Sequence, residues 1–395
     1  MADKNSTIPR GWKMTTLGEV VDIKGGKRLP MGKSLVVQKT SHPYIRITDI
    51  ENNKIKKNQL QFITDDVFSS ISRYIVNSGD VIVSIVGSIG FVAIIDDDLD
   101  KASLTENCVK FVNLKNLDSK FLYYFLTSGS GQNEIERNTI GAVQKKLPIY
   151  GVQNIKIFLP SFPEQRAIAA VLSSLDDKIE LLREQNKTLE AIAQAIFKEW
   201  FVNFNFPGAT GKMIDSELGK IPEGWEVKKF GDVFKIEYGR SDKKFDEDGE
   251  FPVYGAGGIV GYSNSNDYQG YQIIVGCRGT CGNITLAYED SKITHNSLVV
   301  ANEWFNPFSY LFLQTIDIKR AITGSTQPQI TIGDLANIEI YVPEDLIIKL
   351  FSENIKSIFE KIKNNSSQIQ TLSSLRDTLL PKLMKGEVRV KGFIE

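Results

Sequence analysis

Residues 25–34, GGKRLPMGKS, come nearest in this chain to a phosphate-binding loop. Such a loop places four residues between its first glycine and Gly-Lys-Ser/Thr, so that successive backbone N–H groups wrap the phosphates, and it opens a helix. Here five residues separate Gly26 from Gly32 and no apolar helical pattern follows, so the segment reads as a basic surface loop. The NPFS segment (306–309) is one proline short of the Asn-Pro-Pro-aromatic loop on which adenine methyltransferases stack a flipped base. No glycine-rich methyl-donor loop accompanies it, and it reads instead as a helix start in an aromatic cluster. His42 and His295 are the only histidines, too few for a histidine pair with partners or a histidine-rich metal site. Cys108, Cys277 and Cys281 have no second Cys/His pair at zinc spacing, and an odd three in a long chain reads as reduced, cytosolic thiols. No carboxylate pair stands out from the acidic background. The chain is expected to be non-catalytic on its own.

What remains has the chemistry of recognition. Lys24, Lys27, Arg28, Lys33 and Lys39 cluster in glycine-punctuated chain, and Arg46 follows in YIRITDI. Later, Tyr238, Arg240, Lys243 and Lys244 form a similar group, and Arg278 lies in CRGTCG. Gln144 stands beside Lys145 and Lys146, and Gln327 is followed by Gln329. Arg can bind guanine O6 and N7 through two N–H groups, and Gln can do the same to adenine. Taken singly, each fits a solvated loop or a phosphate contact; as a set they are candidate DNA-binding residues. The charge is uneven: residues 1–57 carry about seven basic groups in excess and residues 215–343 about seven acidic ones, which is awkward for a DNA reader.

These residues sit in a chain written twice. IPRGW (8–12) returns as IPEGW (221–225), and Gly18, Val20, Ile23 and Gly26 match Gly231, Val233, Ile236 and Gly239. DVIVSIVGSIGFV (80–92) lies against QIIVGCRGTCGNI (272–284), pairing Gly87 with Gly279 and Gly90 with Gly282. GAVQKKLPIYGVQNIKIFLP (141–160) lies against GSTQPQITIGDLANIEIYVP (324–343) without a gap, pairing Gln144 with Gln327. A unit of this length far exceeds a solenoid period and is a duplicated domain, whose target is expected to be two-part as well.

Each repeat opens with short β-branched runs broken by glycines and holds an aromatic segment, FLYYFLTS (121–128) or YLFLQTID (310–317), that reads as a short buried helix. Each closes with a long helix. In the first, Leu175, Ile179, Leu182, Asn186, Leu189, Ala193, Ile196 and Trp200 alternate four and three residues apart. In the second, Ile358, Ile362, Asn365, Ile369, Leu372, Arg376, Leu379 and Leu383 do the same. A heptad seam of this length predicts a coiled coil, and one buried asparagine in each seam would fix the register at a cost in stability. A stripe that packs only on its own globular domain is the plainer alternative. The longest apolar run (81–95) is too short and too rich in Gly and Ser to span a membrane, and the polar N-terminus shows no signal-peptide pattern.

The order globular unit, long helix, globular unit, long helix resembles the specificity subunit of type I restriction–modification systems. The resemblance covers nearly the whole chain and is carried by FPEQRAIAAVLSSLDDKIELLREQNKTLEAIAQAIF (162–197), LLPKLMKGEVRV (379–390), NSGDVIVSIVGSIG (77–90) and FPVYGAGGIVGY (251–262). It implies an α+β fold: a tandem pseudo-twofold repeat of two mixed α/β target-recognition domains, separated by two long helices in an antiparallel coiled coil. The expected segments are recognition domains at 1–161 and 220–343, helices at 162–202 and 344–385, a linker at 203–219 and a tail at 386–395. Each domain would read half of a split site in double-stranded DNA. Two methyltransferase subunits would supply S-adenosylmethionine chemistry on adenine, and restriction–translocase subunits would use ATP and Mg, leaving this chain without a cofactor in a prokaryotic cytoplasm. A recognition subunit of a related methylation-only or type II-like system, and a non-DNA coiled-coil scaffold, are the alternatives.

Overall fold

The computed structural model describes residues 9–242, 245–246 and 249–392. It divides into two compact units, one formed by the chain up to Ile179 together with the chain from Gln370 onward, the other by Glu180–Ile369. Each is built on a four-stranded antiparallel sheet of the same order. In the first unit Asp22–Gly25, Cys108–Val112, Val81–Ser84 and Val92–Ile94 lie side by side. In the second, Lys235–Tyr238, Ser297–Ala301, Gln272–Gly276 and Ile284–Ala287 repeat the arrangement.

The sheets are covered on both faces, which is why their central strands read as continuous apolar runs. Val81 and Val83 join Val109, Phe111 and the helix Ser119–Thr127 in one core, while Ile82, Ala93 and Cys108 face Ile45 and Leu104 in another. Likewise Ile273, Val275, Leu298 and Val300 pack with the helix Asn306–Thr315, and Ile274 and Val299 pack against Tyr254 and Ile293. NPFS does open a helix, with proline in its first turn, and sets Phe308 and Phe312 among the rings of Phe197, Phe201, Trp304 and Phe351. The repeat extends to backbone angles. The turn after each central strand holds Gly87 and Gly90 at φ 79° and 88°, and Gly279 and Gly282 at 84° and 80°, a left-handed region that favours glycine.

Each long helix, Phe162–Phe201 and Asp345–Met384, runs unbroken for 40 residues. Within the second unit their segments are antiparallel: Asn186 meets Asn365 and Ser366, and the Trp200 ring lies 5.4 Å from that of Phe351. Within the first, Asp176 pairs with Arg376 at 2.9 Å. Ile179, Leu182, Ile362 and Leu383 are buried; Leu175, Leu189, Ile196, Trp200, Ile358, Ile369, Leu372 and Leu379 are half-buried. The stripe is both a helix–helix seam and a docking face, since Leu189, Ile196, Trp200 and Ile358 also pack on the second unit's core and Leu379 on the first's. The two asparagines are partners: Asn365 Nδ2 donates to Asn186 Oδ1 at 2.8 Å, and Asn186 Nδ2 donates to the Ser366 hydroxyl at 3.2 Å.

Two features differ from the segmentation expected from sequence. Each helix is shared between the compact units instead of forming a piece of its own, because its ends complete the globular cores. The 203–219 stretch is more than a linker: Phe204 and Phe206 pack on the buried Trp225, and Met213–Ser216 pairs with Gly219–Pro222.

Candidate nucleic-acid interface

Four segments meet at one end of the first unit's sheet, where its strands stop, and form a common edge. Gly26 N–H donates to Cys108 O at 3.0 Å and Lys27 N–H to Leu104 O at 2.8 Å, laying the basic loop against the turn 105–107. Ile85 N–H donates to Asn107 O at 2.8 Å, which brings the glycine turn 86–90 alongside. Leu147 N–H donates to Ile85 O at 2.9 Å and Val86 bridges Lys146, adding the loop 140–146. The second unit repeats this edge. Gly239 N–H donates to Ser297 O at 2.9 Å, Cys277 N–H to Asn296 O at 2.9 Å and Ile330 N–H to Cys277 O at 3.0 Å, and Arg278 bridges Gln329. The first contact needs glycine: a Cβ on Gly26 would lie 2.1 Å from Thr105 O, and one on Gly239 2.3 Å from Thr294 O.

Most of the candidate residues are exposed and near these segments. Lys24, Lys27, Arg28, Gln144, Lys145 and Lys146 are exposed in the first unit, and Tyr238, Arg240, Arg278, Gln327 and Gln329 in the second. Lys243 and Lys244 lie outside the described residues. Arg28 Nε donates to Glu106 Oε1 at 2.8 Å while its side chain stays 81% exposed. Arg240 Nη2 donates to Glu237 Oε1 at 2.6 Å, and its guanidinium stands 4.8 Å over the Tyr268 ring. Pairing of this kind leaves a guanidinium oriented yet accessible.

Two of the predicted residues are engaged elsewhere. Lys33 donates to Asp66 at 2.6 Å and, with the Thr64 hydroxyl, holds that carboxyl down at about 2. Arg46 is bound into the fold: Nε and Nη2 grip the Asp49 carboxylate at 3.0 and 2.7 Å, and Nη1 donates to Gln61 Oε1 at 2.5 Å. Asp49 is only 1% exposed, so this arginine neutralises a buried charge.

Two further residues stand on the edge, and composition alone does not single them out for recognition. Glu106 and His295 occupy the same place, each between a threonine and an asparagine whose backbones make matching contacts. His295 Nδ1 donates to Gly239 O at 2.6 Å. Setting LTENC (104–108) against ITHNS (293–297) would have found them, since Thr105 and Asn107 recur as Thr294 and Asn296. The edge thus offers donors and acceptors at loop tips carried by a rigid sheet, which suits base and phosphate contacts. Among the described residues, no three His, Cys, Asp or Glu side chains are grouped to hold a metal ion, and no helix is long and apolar enough to cross a membrane.

Comparison with known proteins agrees with the geometry. A family model described as the type I restriction modification DNA specificity domain matches residues 9–191 and 222–373. The chain is 27% identical to the type I restriction enzyme MjaIX specificity subunit of Methanocaldococcus jannaschii, over 97% of this chain and 95% of the relative. It is 24% identical to the HindI specificity subunit of Haemophilus influenzae, over 87% of this chain and 94% of the relative. A crystal structure of the type I system S subunit from M. genitalium shares the fold at 21% identity, with a TM-score of 0.59 over 96% of this chain and 97% of the other.

Proposed function

The chain belongs to the type I restriction modification DNA specificity family, and on that footing we propose that each unit reads one half of a split, asymmetric site in duplex DNA. The observation that carries this reading is the four-segment edge, built twice on the same backbone frame with different side chains at its tips. One frame with two sets of contacts is what a two-part target with unlike halves requires. The two long helices would set the unread spacer and dock two methyltransferase subunits. The methyl donor, ATP and Mg would be held by those subunits and by a restriction–translocase, in a prokaryotic cytoplasm, with no catalytic group supplied by this chain.

Sequencing of methylated adenines in cells expressing the chain with its methyltransferase subunits tests the proposal. The expected result is one motif with two fixed halves, unlike each other, around a spacer of fixed length. Methylation without such a motif, or DNA binding that ignores salt, would defeat it. The purified chain alone should neither methylate nor cleave DNA nor hydrolyse ATP. Turnover that a point mutation within the chain abolishes would contradict this.

A further inference from the structure

The two recognition edges share a frame, and within its Thr-x-Asn turn the central residue is exchanged. Gly26 and Gly239, Thr105 and Thr294, and Asn107 and Asn296 keep both their identity and their backbone contacts, whereas the residue at the centre of the turn is Glu106 in one unit and His295 in the other. Positions kept in both copies hold the turn in place. A surface position that changes between a threonine and an asparagine that do not is where two unlike half-sites would be written. Resting on the function proposed above, we propose that the central residue of this Thr-x-Asn turn determines the base read at one position of each half-site. Glu106 is a positioning residue for Arg28, and His295 is itself a reading residue.

In the first unit the chemistry follows from the guanidinium. Glu106 Oε1 accepts from Arg28 Nε at 2.8 Å, and the carboxylate is anchored from behind, where Oε2 accepts from the Thr105 hydroxyl at 3.1 Å. An ion pair this exposed adds little to stability. What it does fix is direction. With Nε engaged, the Nη1 and Nη2 ends have no partner among the described residues, and the side chain is 81% exposed. That outer pair of donors matches O6 and N7 of guanine in the major groove. In the second unit Gly239 O can only accept, so His295 Nδ1 carries a proton, which leaves Nε2 of this exposed residue as the nitrogen whose lone pair can accept from a base. An acceptor there suits the exocyclic amine of cytosine or adenine. The turn would therefore present donors to one half-site and an acceptor to the other.

The test uses the chain coexpressed with its methyltransferase subunits, with the methylated motif read by sequencing. Glu106→Ala should relax one base of the first half by about 5- to 150-fold in preference, with the second half unchanged. Glu106→Gln keeps an oxygen for Arg28 Nε and should restore that preference. Arg28→Ala, at an exposed position where folding is not in question, should relax the same base as Glu106→Ala. His295→Ala should relax one base of the second half alone. The inference is overturned if Arg28→Ala and Glu106→Ala affect different bases, if Glu106→Gln behaves as the alanine variant, or if the motif survives Arg28→Ala and His295→Ala intact. A wild-type complex that yields no split motif defeats the functional proposal itself, a result distinct from any of these.

Discussion

Arg46 and Arg28 look alike in sequence, both arginines in the basic N-terminal stretch, yet they face opposite demands. Arg46 is bound to the carboxylate of Asp49, which is buried, whereas Arg28 reaches out past a half-buried Glu106. Arg46→Ala would strand that buried charge, so it should lower unfolding stability by roughly 2–4 kcal/mol. Chemical denaturation of the variant checks this, and an unshifted midpoint would show that Asp49 finds other partners. Lys145→Ala should leave stability unchanged and weaken DNA binding evenly across sequences, with a salt slope smaller by about one. Selective loss at one base would instead make Lys145 a base reader. The sequence showed which residue types were available but not which were free, because Asp49 reaches Arg46 through a local turn while Gln59 and Gln61 are brought to it by the pairing of Pro43–Ile45 with Gln61–Phe62, which no spacing rule announces. The acidity of the second unit has a similar resolution in part. Asp246 accepts from Asn264 N–H at 2.8 Å and Asp290 from Gly270 N–H at 2.8 Å, so some of its carboxylates build turns and are not a bare negative face.

At the scale of elements, the heptad period was fully legible: the long helices, their stripe and their two asparagines were all written in the sequence. The asparagines stand at non-equivalent repeat positions, and antiparallel packing is what brings them together. The pair is nevertheless incompletely satisfied, since Asn365 is fully buried and its Oδ1 has no partner among the described residues. Asn186→Leu should therefore cost about 1–3 kcal/mol, by removing the nearer acceptor of a buried amide and leaving it only Gln185 Oε1 at 3.4 Å. Adding Asn365→Leu should recover most or all of that loss while weakening the choice of register. A double-mutant cycle measured by denaturation checks the coupling, and simple additivity would show that the two amides do not depend on each other. What the sequence hid were the shared ends of the helices. Ile168, Ala169 and Leu172 at one end, and Ala193, Phe197 and Phe201 at the other, belong to different globular cores, a division that one continuous stripe cannot reveal.

At the scale of the whole molecule, segments far apart in the sequence close the first unit. In the first unit Arg389 grips Glu164 through two bonds of 2.8 Å and donates to Arg10 O at 3.1 Å, joining the C-terminal segment to the start of the first long helix and to the N-terminal entry. Glu164 is 2% exposed, so Arg389→Ala should destabilise the first unit by about 3–5 kcal/mol. Protection of Trp12 against exchange, compared with Trp225 in the second unit, would report whether the loss stays local. The remaining consequence concerns helix length. If the helices set the spacer, the seam from Leu175 to Trp200, about 26 residues at 1.5 Å each, measures roughly 39 Å. Duplex DNA rises about 3.4 Å per base pair, so that length corresponds to roughly eleven base pairs, close to one turn of the duplex. Inserting four residues into each helix, near Glu184 and Ser367, adds about 6 Å and rotates the stripe by only about 40°, which a coiled coil absorbs as a stutter. The methylated motif should then keep both half-sequences and lengthen its spacer by about one or two base pairs. An unchanged spacer would remove the helices from that role, and altered half-sequences would mean that base reading is not confined to the sheet edges.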